Sequence, residues 1–357
     1  MLLLPQKEVS LPITTEGSRT VANTLIMISS LLLIALTWLV HFSEAFQMQM
    51  NMPGMVSKKV IVTGAAGRTG SLVFSLLNKD PRFDAVGLVR SEASAKKLLT
   101  KTNCNLEEIV VCDVTQMEFE KEDANPHPWP YALDGAEAMV ICTSAVPQIS
   151  KVSVLKAMLK IPLNVITKKK AINFRDLQFK YRPGQYPEKV DYIGQKKQID
   201  LAKKMGVKQV VVVSSMGGTD ESNFLNQIGK DKNGDGHGDI LMWKRKAERY
   251  LCVSGLQYTI IHPGGLIDTE PNQMELILDV DDRLMKNEKK SISRADVARL
   301  CIASLTESGG KSVSFDCIGR ELAEGEEGTV LKSAEETLKA FIDSGVTCDY
   351  TLGPSGM

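Results

Sequence analysis

From residue 58 onward, short apolar runs rich in β-branched residues alternate with stretches of helical spacing. Lys59-Val60-Ile61-Val62 is the first run. A glycine turn follows, then Ser71-Leu72-Val73-Phe74-Ser75-Leu76-Leu77, whose apolar positions fall on one helical face. Ala85-Val86-Gly87-Leu88-Val89 reads as a second strand, Glu108-Ile109-Val110-Val111-Cys112 as a third and Ala138-Met139-Val140-Ile141-Cys142 as a fourth. Gln209-Val210-Val211-Val212-Val213 and Tyr258-Thr259-Ile260-Ile261 follow as the fifth and sixth, and residues 312–317 as the last. Helices are expected over residues 188–205, ending at Gly206, and over 241–253, ending near Gly255. Ser293, with Asp296 three residues on, opens another helix, and Ser333-x-x-Glu336 opens a terminal amphipathic one. This rhythm specifies an α/β fold, a doubly wound parallel sheet with helices on both faces.

Two stretches break the rhythm. Residues 146–190 hold Lys168-Lys169-Lys170, Tyr181-Arg182-Pro183-Gly184 and Tyr186-Pro187 but few strand-like runs. A long excursion at a cleft suits a substrate lid, and the triple lysine reads as a solvated face. The second stretch begins at Asp231 and passes Asn233, Asp235, Gly236 and His237 to Asp239, like the start of a calcium loop. Gly238 and Met242 stand where such a loop needs an apolar residue and a bidentate Glu. A Gly/Asp/Asn turn explains the same composition, and no metal is expected.

Residues 1–57 read as a targeting or anchoring segment rather than as part of the fold. Residues 20–43 carry no Asp, Glu, Lys or Arg, residues 25–40 are strongly apolar, and Arg19 precedes them. Ser43-Glu44-Ala45 offers small residues where a signal peptidase reads. A cleaved signal peptide and a retained transmembrane anchor both fit this length. Cleavage after Ala45 would expose Phe46 and an acid-free stretch up to Lys59, which resembles the bipartite plastid presequence of algae with secondary plastids. A plastid location is therefore expected, with membrane anchoring as the alternative. Seven cysteines in 357 residues show no C-x-x-C pair, which suits a reducing compartment. The 43 basic and 43 acidic residues give no electrostatic reason to expect nucleic acid.

The candidate chemistry starts at Thr63-Gly64-Ala65-Ala66-Gly67-Arg68-Thr69-Gly70. A glycine turn between strand and helix lets backbone approach a dinucleotide pyrophosphate at the helix N-terminus. Arg90 ends the second strand, where a basic residue suits a 2′-phosphate, so NADP is expected over NAD; Arg68 is a second cation nearby. Asp113, closing the third strand, reads either as an acceptor for the adenine amino group or as the N-cap of a helix in the next segment. Thr143, Ser144 and Ala145 follow the fourth strand and should line the crevice.

Together with Ser214-Ser215-Met216-Gly217-Gly218, Trp243-Lys244-Arg245-Lys246-Ala247-Glu248, Pro263-Gly264-Gly265 and Arg294-Ala295-Asp296-Val297-Ala298, in this order, these motifs resemble the atypical short-chain dehydrogenase/reductases, in particular NAD(P)-binding proteins of plant and algal plastids. The resemblance covers about residues 58–345. It implies a Rossmann domain with NADP in its crevice and a small substrate lobe over residues 265–345, leaving residues 346–357 as a tail. It implies further cofactor contacts at Val114, Ser214, Pro263 and Gly264. It also implies catalytic roles for Ser215 and Lys246, with Lys246 touching the cofactor as well. The family's tyrosine, four residues before its lysine, is replaced by Met242, and a thioether donates no proton. Tyr181, Tyr186 and Tyr192 are candidate replacements. His262 stands where many relatives carry Arg, and reads as a strand-end residue. The implied function is an NADP(H)-dependent oxidoreductase acting on an unidentified small molecule. The alternative is a non-catalytic NADP-binding protein for assembly or redox sensing.

Overall fold

The computed structural model describes residues 57–113, 115–116, 130–150, 153–155, 178–231, 233–322 and 330–353. Of the expected targeting or anchoring segment, residues 1–56 lie outside them, as do Val114 and the triple lysine. Among the described residues no helix is long and apolar enough to cross a membrane.

An eight-stranded sheet organises the molecule. Its strands are β1 (Lys58–Thr63), β2 (Phe83–Val89), β3 (Ile109–Val111), β4 (Ala138–Ile141), β7 (Gln209–Val213), β8 (Gln257–Pro263), β10 (Glu275–Asp279) and β12 (Val313–Arg320). Their spatial order is β3-β2-β1-β4-β7-β8-β12-β10, parallel throughout except for the β10 edge. Two small pairs stand outside it: β5 (Gln148–Ile149) with β6 (Phe179–Lys180), and β9 (Gly265–Ile267) with β11 (Ser291–Ser293). The chain runs outward from β1 to β3 and then returns to place β4 on the other side of β1. That reversal opens a crevice at the carboxyl ends of β1 and β4.

Alternation along each strand feeds two cores. Val60 and Val62 join Val140, Val211 and Phe315 on one face, under α1 (Arg68–Lys79), α2 (Glu92–Thr102), α6 (Arg294–Glu307) and α7 (Ala334–Asp343). Ile61 joins Met139, Ile141 and Val212 on the other, under α3 (Gln195–Lys204) and α5 (Ile240–Cys252). Phe74, Leu77 and Leu98 are fully buried in the first layer. Each such side chain contributes about 1.5–3 kcal/mol.

The expected elements are present, with informative shifts. Helix α1 starts at Arg68, three residues earlier than apolar spacing alone suggests, so Arg68 and Thr69 belong to its first turn. Residues 188–205 form a wide π-helical segment, Glu188–Gly194, that continues into α3. The terminal capping box is real: Glu336 N donates to Ser333 Oγ (3.1 Å) and Ser333 N donates to the Glu336 carboxylate (2.8 Å). At α6, by contrast, Ser293 caps alone, accepting from Ala295 N (3.1 Å), while Asp296 accepts from Asn272 N (3.0 Å).

The segment after Pro263 is not set apart as a lobe. It supplies β12 and β10 to the main sheet, and α6 packs on α1. The expected tail is also built in as far as Gly353. Cys348 N donates to Ser314 O (3.2 Å). Arg245 and Arg249 on α5 donate to the carbonyls of Asp349 (2.6 Å) and Tyr350 (3.1 Å).

Candidate functional site: a dinucleotide crevice beside a buried polar network

Gly64 ends β1 with φ +67°, a left-handed backbone that favours glycine. A Cβ there would lie 2.9 Å from Cys142 O, so the turn presses directly against the end of β4. A Cβ on Gly70 would run into the Gly64 carbonyl, which is how the third glycine brings α1 down onto the turn. Gly67 is the N-cap of α1 and contributes no side-chain cap, and the first turn holds no acid. The α1 N-terminus therefore keeps N–H groups available to an anion, and this cradle fits a pyrophosphate. Arg68 beside it and Arg90 beyond β2 are both exposed, and neither makes an ion pair among the described residues.

Asp113 holds a local turn, accepting from Thr115 N (3.0 Å) and Thr115 Oγ1 (2.7 Å). Thr143 Oγ1 accepts from Gln198 Nε2 (3.1 Å), Ser144 is exposed, and Ala145 N donates to Asp191 Oδ2 (3.0 Å). Asp191 is fully buried in the π-helical turn, and its other oxygen meets Lys244 Nζ at 2.8 Å. Lys244 thus reaches the crevice at the end of β4, close enough for its charge to act on the Cys142 thiol.

Lys246 does not reach that place. Its Nζ lies over the Tyr192 ring (4.6 Å) and the Trp243 ring (5.3 Å). Two helical positions separate it from Lys244, about 200° of rotation. The lysine of the crevice is Lys244. Ile240 stands four residues before it, so this position too lacks a proton donor. The signal was present in the helix period: Leu241, Lys244, Glu248 and Leu251 share the buried face of α5.

The three candidate tyrosines separate clearly. Tyr186 stacks on His237 with ring centroids 3.5 Å apart, and Tyr192 stacks on Trp243. The Tyr181 hydroxyl is buried without a hydrogen-bond partner among the described residues. Burial, with the Asp191 charge, pushes it well above its ordinary value, so it stays a neutral phenol.

A second polar cluster lies at the ends of β7 and β8 and at the middle of β12. Ser214 Oγ donates to Glu248, and Ser215 Oγ donates to Met216 O (3.1 Å). His262 Nε2 is 3.3 Å from Glu248 Oε2, and His262 Nδ1 is 3.2 Å from Asp316 Oδ1 and 3.7 Å from Cys348 Sγ. Burial opposes charge on Glu248, yet His262 and Arg245 pull its carboxyl down to about 2. Burial likewise opposes charge on His262, and its carboxylate neighbours outweigh it, holding the imidazole well above its ordinary value. Burial raises Asp316. His262 is therefore the hub of a buried network rather than a plain strand-end residue. Gly264 has a structural reason of its own: a Cβ there would collide with Lys290 O. Pro263 O accepts from Met216 N (3.1 Å).

The loop from Asp231 to Asp239 closes on itself. Asp231 Oδ1 accepts from Asn233 N (2.8 Å) and Asp235 N (3.0 Å), and Lys230 neutralises Asp239 (2.7 Å). A lysine ammonium on a would-be ligand suits a turn and not a calcium loop.

Residues 64–308 match the NAD(P)H-binding family. The chain belongs to that family, as an atypical short-chain dehydrogenase/reductase. It is 41% identical over 270 residues to sanguinarine reductase of Eschscholzia californica, covering 73% of this chain and 89% of the relative. It is 40% identical over 258 residues to an uncharacterised chloroplast protein of Arabidopsis thaliana, covering 72% of this chain and 68% of that one. A solved NAD-dependent epimerase/dehydratase-like protein of Bacillus halodurans shares the fold, at 21% identity and a TM-score of 0.53, covering 80% of this chain and 100% of that one. Membership implies a nicotinamide cofactor, and the glycine cradle and open helix N-terminus fit one.

Proposed function

We propose that the chain is an NADP(H)-dependent oxidoreductase that reduces a small conjugated acceptor without a tyrosine acid on α5. Support for a reductase comes from the 41% identical relative that carries that name. The observation that carries the reading is the Lys244–Asp191 pair, because it couples the lysine helix to Ala145 in a crevice otherwise built for a dinucleotide. Gly64, Gly67, Thr69 and Gly70 would hold the pyrophosphate, Arg68 and Arg90 the 2′-phosphate end, and Lys244 the ribose beside the nicotinamide. When bound, that cofactor supplies a hydride.

The residues of the chain bind and orient. Asp191 fixes the Lys244 ammonium, and its other oxygen fixes the backbone at Ala145. With no phenol four residues before either lysine, an acceptor that takes its proton from water, such as a quinone or flavin, suits this site. Tyr181, the buried phenol near Asp191, is the candidate donor for a carbonyl. Ser215 would lie at the substrate side. The chloroplast relative, together with the apolar N-terminal segment, supports a plastid location.

The test is steady-state turnover by the full chain with NADPH, screened against sanguinarine, quinones, flavins and small carbonyls. Tight NADPH binding without turnover of any of them would favour the alternative, a non-catalytic NADP-binding protein.

A further inference from the structure

His262, Asp316 and Cys348 come from three different parts of the chain. His262 and Asp316 are register partners on β8 and β12, and Cys348 belongs to the C-terminal segment that packs beside β12. All three are buried, and one ligand-type atom from each, Nδ1, a carboxylate oxygen and Sγ, lies within 4.8 Å of the other two. Tetrahedral zinc, with bonds of about 2.0–2.3 Å, separates its ligand atoms by about 3.3–3.8 Å. The observed Nδ1 separations, 3.2 Å to Asp316 and 3.7 Å to Cys348, are close to that spacing, and the carboxylate and thiol, within 4.8 Å of each other, draw to it on binding.

The surroundings point the same way. The far nitrogen, Nε2, lies 3.3 Å from Glu248 Oε2 without an aligned hydrogen bond, and a small turn of the ring would make the carboxylate–histidine contact that orients a metal-bound imidazole. Glu248 is held in turn by Ser214. The second Asp316 oxygen accepts from Asp282 N (2.7 Å), so the carboxylate is itself oriented. The three residues line one small pocket with Thr219, Arg245, Glu248 and Asp281. An imidazolium between Glu248 and Asp316, with the Cys348 thiol as a weak third partner at Nδ1, is the metal-free state of this cluster. Loss of the Nδ1 proton turns that nitrogen's lone pair toward Asp316 and Cys348, where three electron-pair donors converge.

We propose that His262 Nδ1, the Asp316 carboxylate and Cys348 Sγ form a binding site for a zinc-class divalent cation that clasps the C-terminal segment to the sheet. Loading replaces the thiol proton and any proton on Nδ1, and both go to solvent. The site does not depend on the proposed reductase activity, and its test does not use that activity.

The experiment takes the full chain, strips it with a chelator and titrates it with zinc by calorimetry and with cobalt(II) by absorbance. Expected are one equivalent bound, proton release, and a thiolate-to-cobalt absorption band. Cys348→Ser removes the band, and Glu248→Gln weakens zinc about 10- to 100-fold. Amide exchange over residues 346–353 slows when zinc is added. Absence of a cobalt–thiolate band in the wild-type chain overturns the proposal. So does a band that persists in Cys348→Ser, which would assign it to another thiol. Should Cys348→Ser fail to fold, Asp316→Asn supplies the second ligand variant, and undiminished zinc affinity in it is equally fatal.

Discussion

Lys244 Nζ and Asp191 Oδ1 meet at 2.8 Å with both side chains nearly removed from solvent. The pair joins α5 to the π-helical turn and, through the other Asp191 oxygen, to the loop that closes β4. Removing one partner leaves the other charge buried alone, at a cost of about 3–5 kcal/mol. Lys244→Met should therefore lower the melting temperature strongly and weaken NADPH, whereas Lys246→Met, which loses contacts to two aromatic rings, should cost about 0.5–1 kcal/mol. Thermal melts with and without NADPH compare them. Equal effects would return Lys246 to the site.

Arg90 is exposed just past the end of β2 and is the cation proposed to read a 2′-phosphate. Arg90→Ala should weaken NADPH by about 10- to 100-fold, the worth of a charge-assisted hydrogen bond of about 1.5–3 kcal/mol. NADH should change little. Fluorescence titration of both cofactors decides, and equal losses refute the assignment.

Gly264 separates a packing role from a ligand role. Its missing Cβ is required by Lys290 O across the β9–β11 pair. Gly264→Ala should lower thermal stability while leaving the NADPH Kd of the folded protein within about twofold, as expected for an independent site. A selective loss of affinity without loss of stability would make it a cofactor residue.

Cys142 follows β4 and lies half-buried against the glycine turn, and loss of solvent around the sulfur pushes its thiol up to about 12, with Lys244 pulling the other way. At pH 8 its thiolate fraction is about one part in 10⁴, so iodoacetamide should leave it unmodified in the folded protein. Peptide mapping after brief alkylation tests this, and rapid labelling of Cys142 would refute the raised thiol.

Much of the fold was legible in the sequence because parallel strands buried on both faces read as plain β-branched runs. Val210, Val211 and Val212 leave little room for another reading. The glycine turn was legible for a similar reason, since its spacing answers to backbone geometry. Side-chain direction on α5 was harder to read. Lys244 and Lys246 look alike in a motif, and only the helical phase set by Leu241 and Leu251 tells them apart. Asp191 gave no signal, because its partner lies 53 positions away and the π-helical turn that aims it has no clear sequence mark. The docking of Cys348 beside His262 was equally hidden, as a contact between residues separated by 86 positions. Motif reading thus located the crevice and missed the polar groups that meet across it.

Strand β1 lies inside the sheet, hydrogen-bonded along its length to β2 on one side and β4 on the other. Its first residue is anchored as well: Lys58 Nζ donates to Gln209 (2.9 Å) and to Leu305 O (3.2 Å). A force applied to the segment before residue 58 therefore loads an interior strand along its own axis. Two parallel ladders must then shear together, since neither can be peeled away bond by bond. Such a molecule should resist a pull from its N-terminal side up to a threshold and then come apart in one event, its lifetime under load set by the unfolding rate.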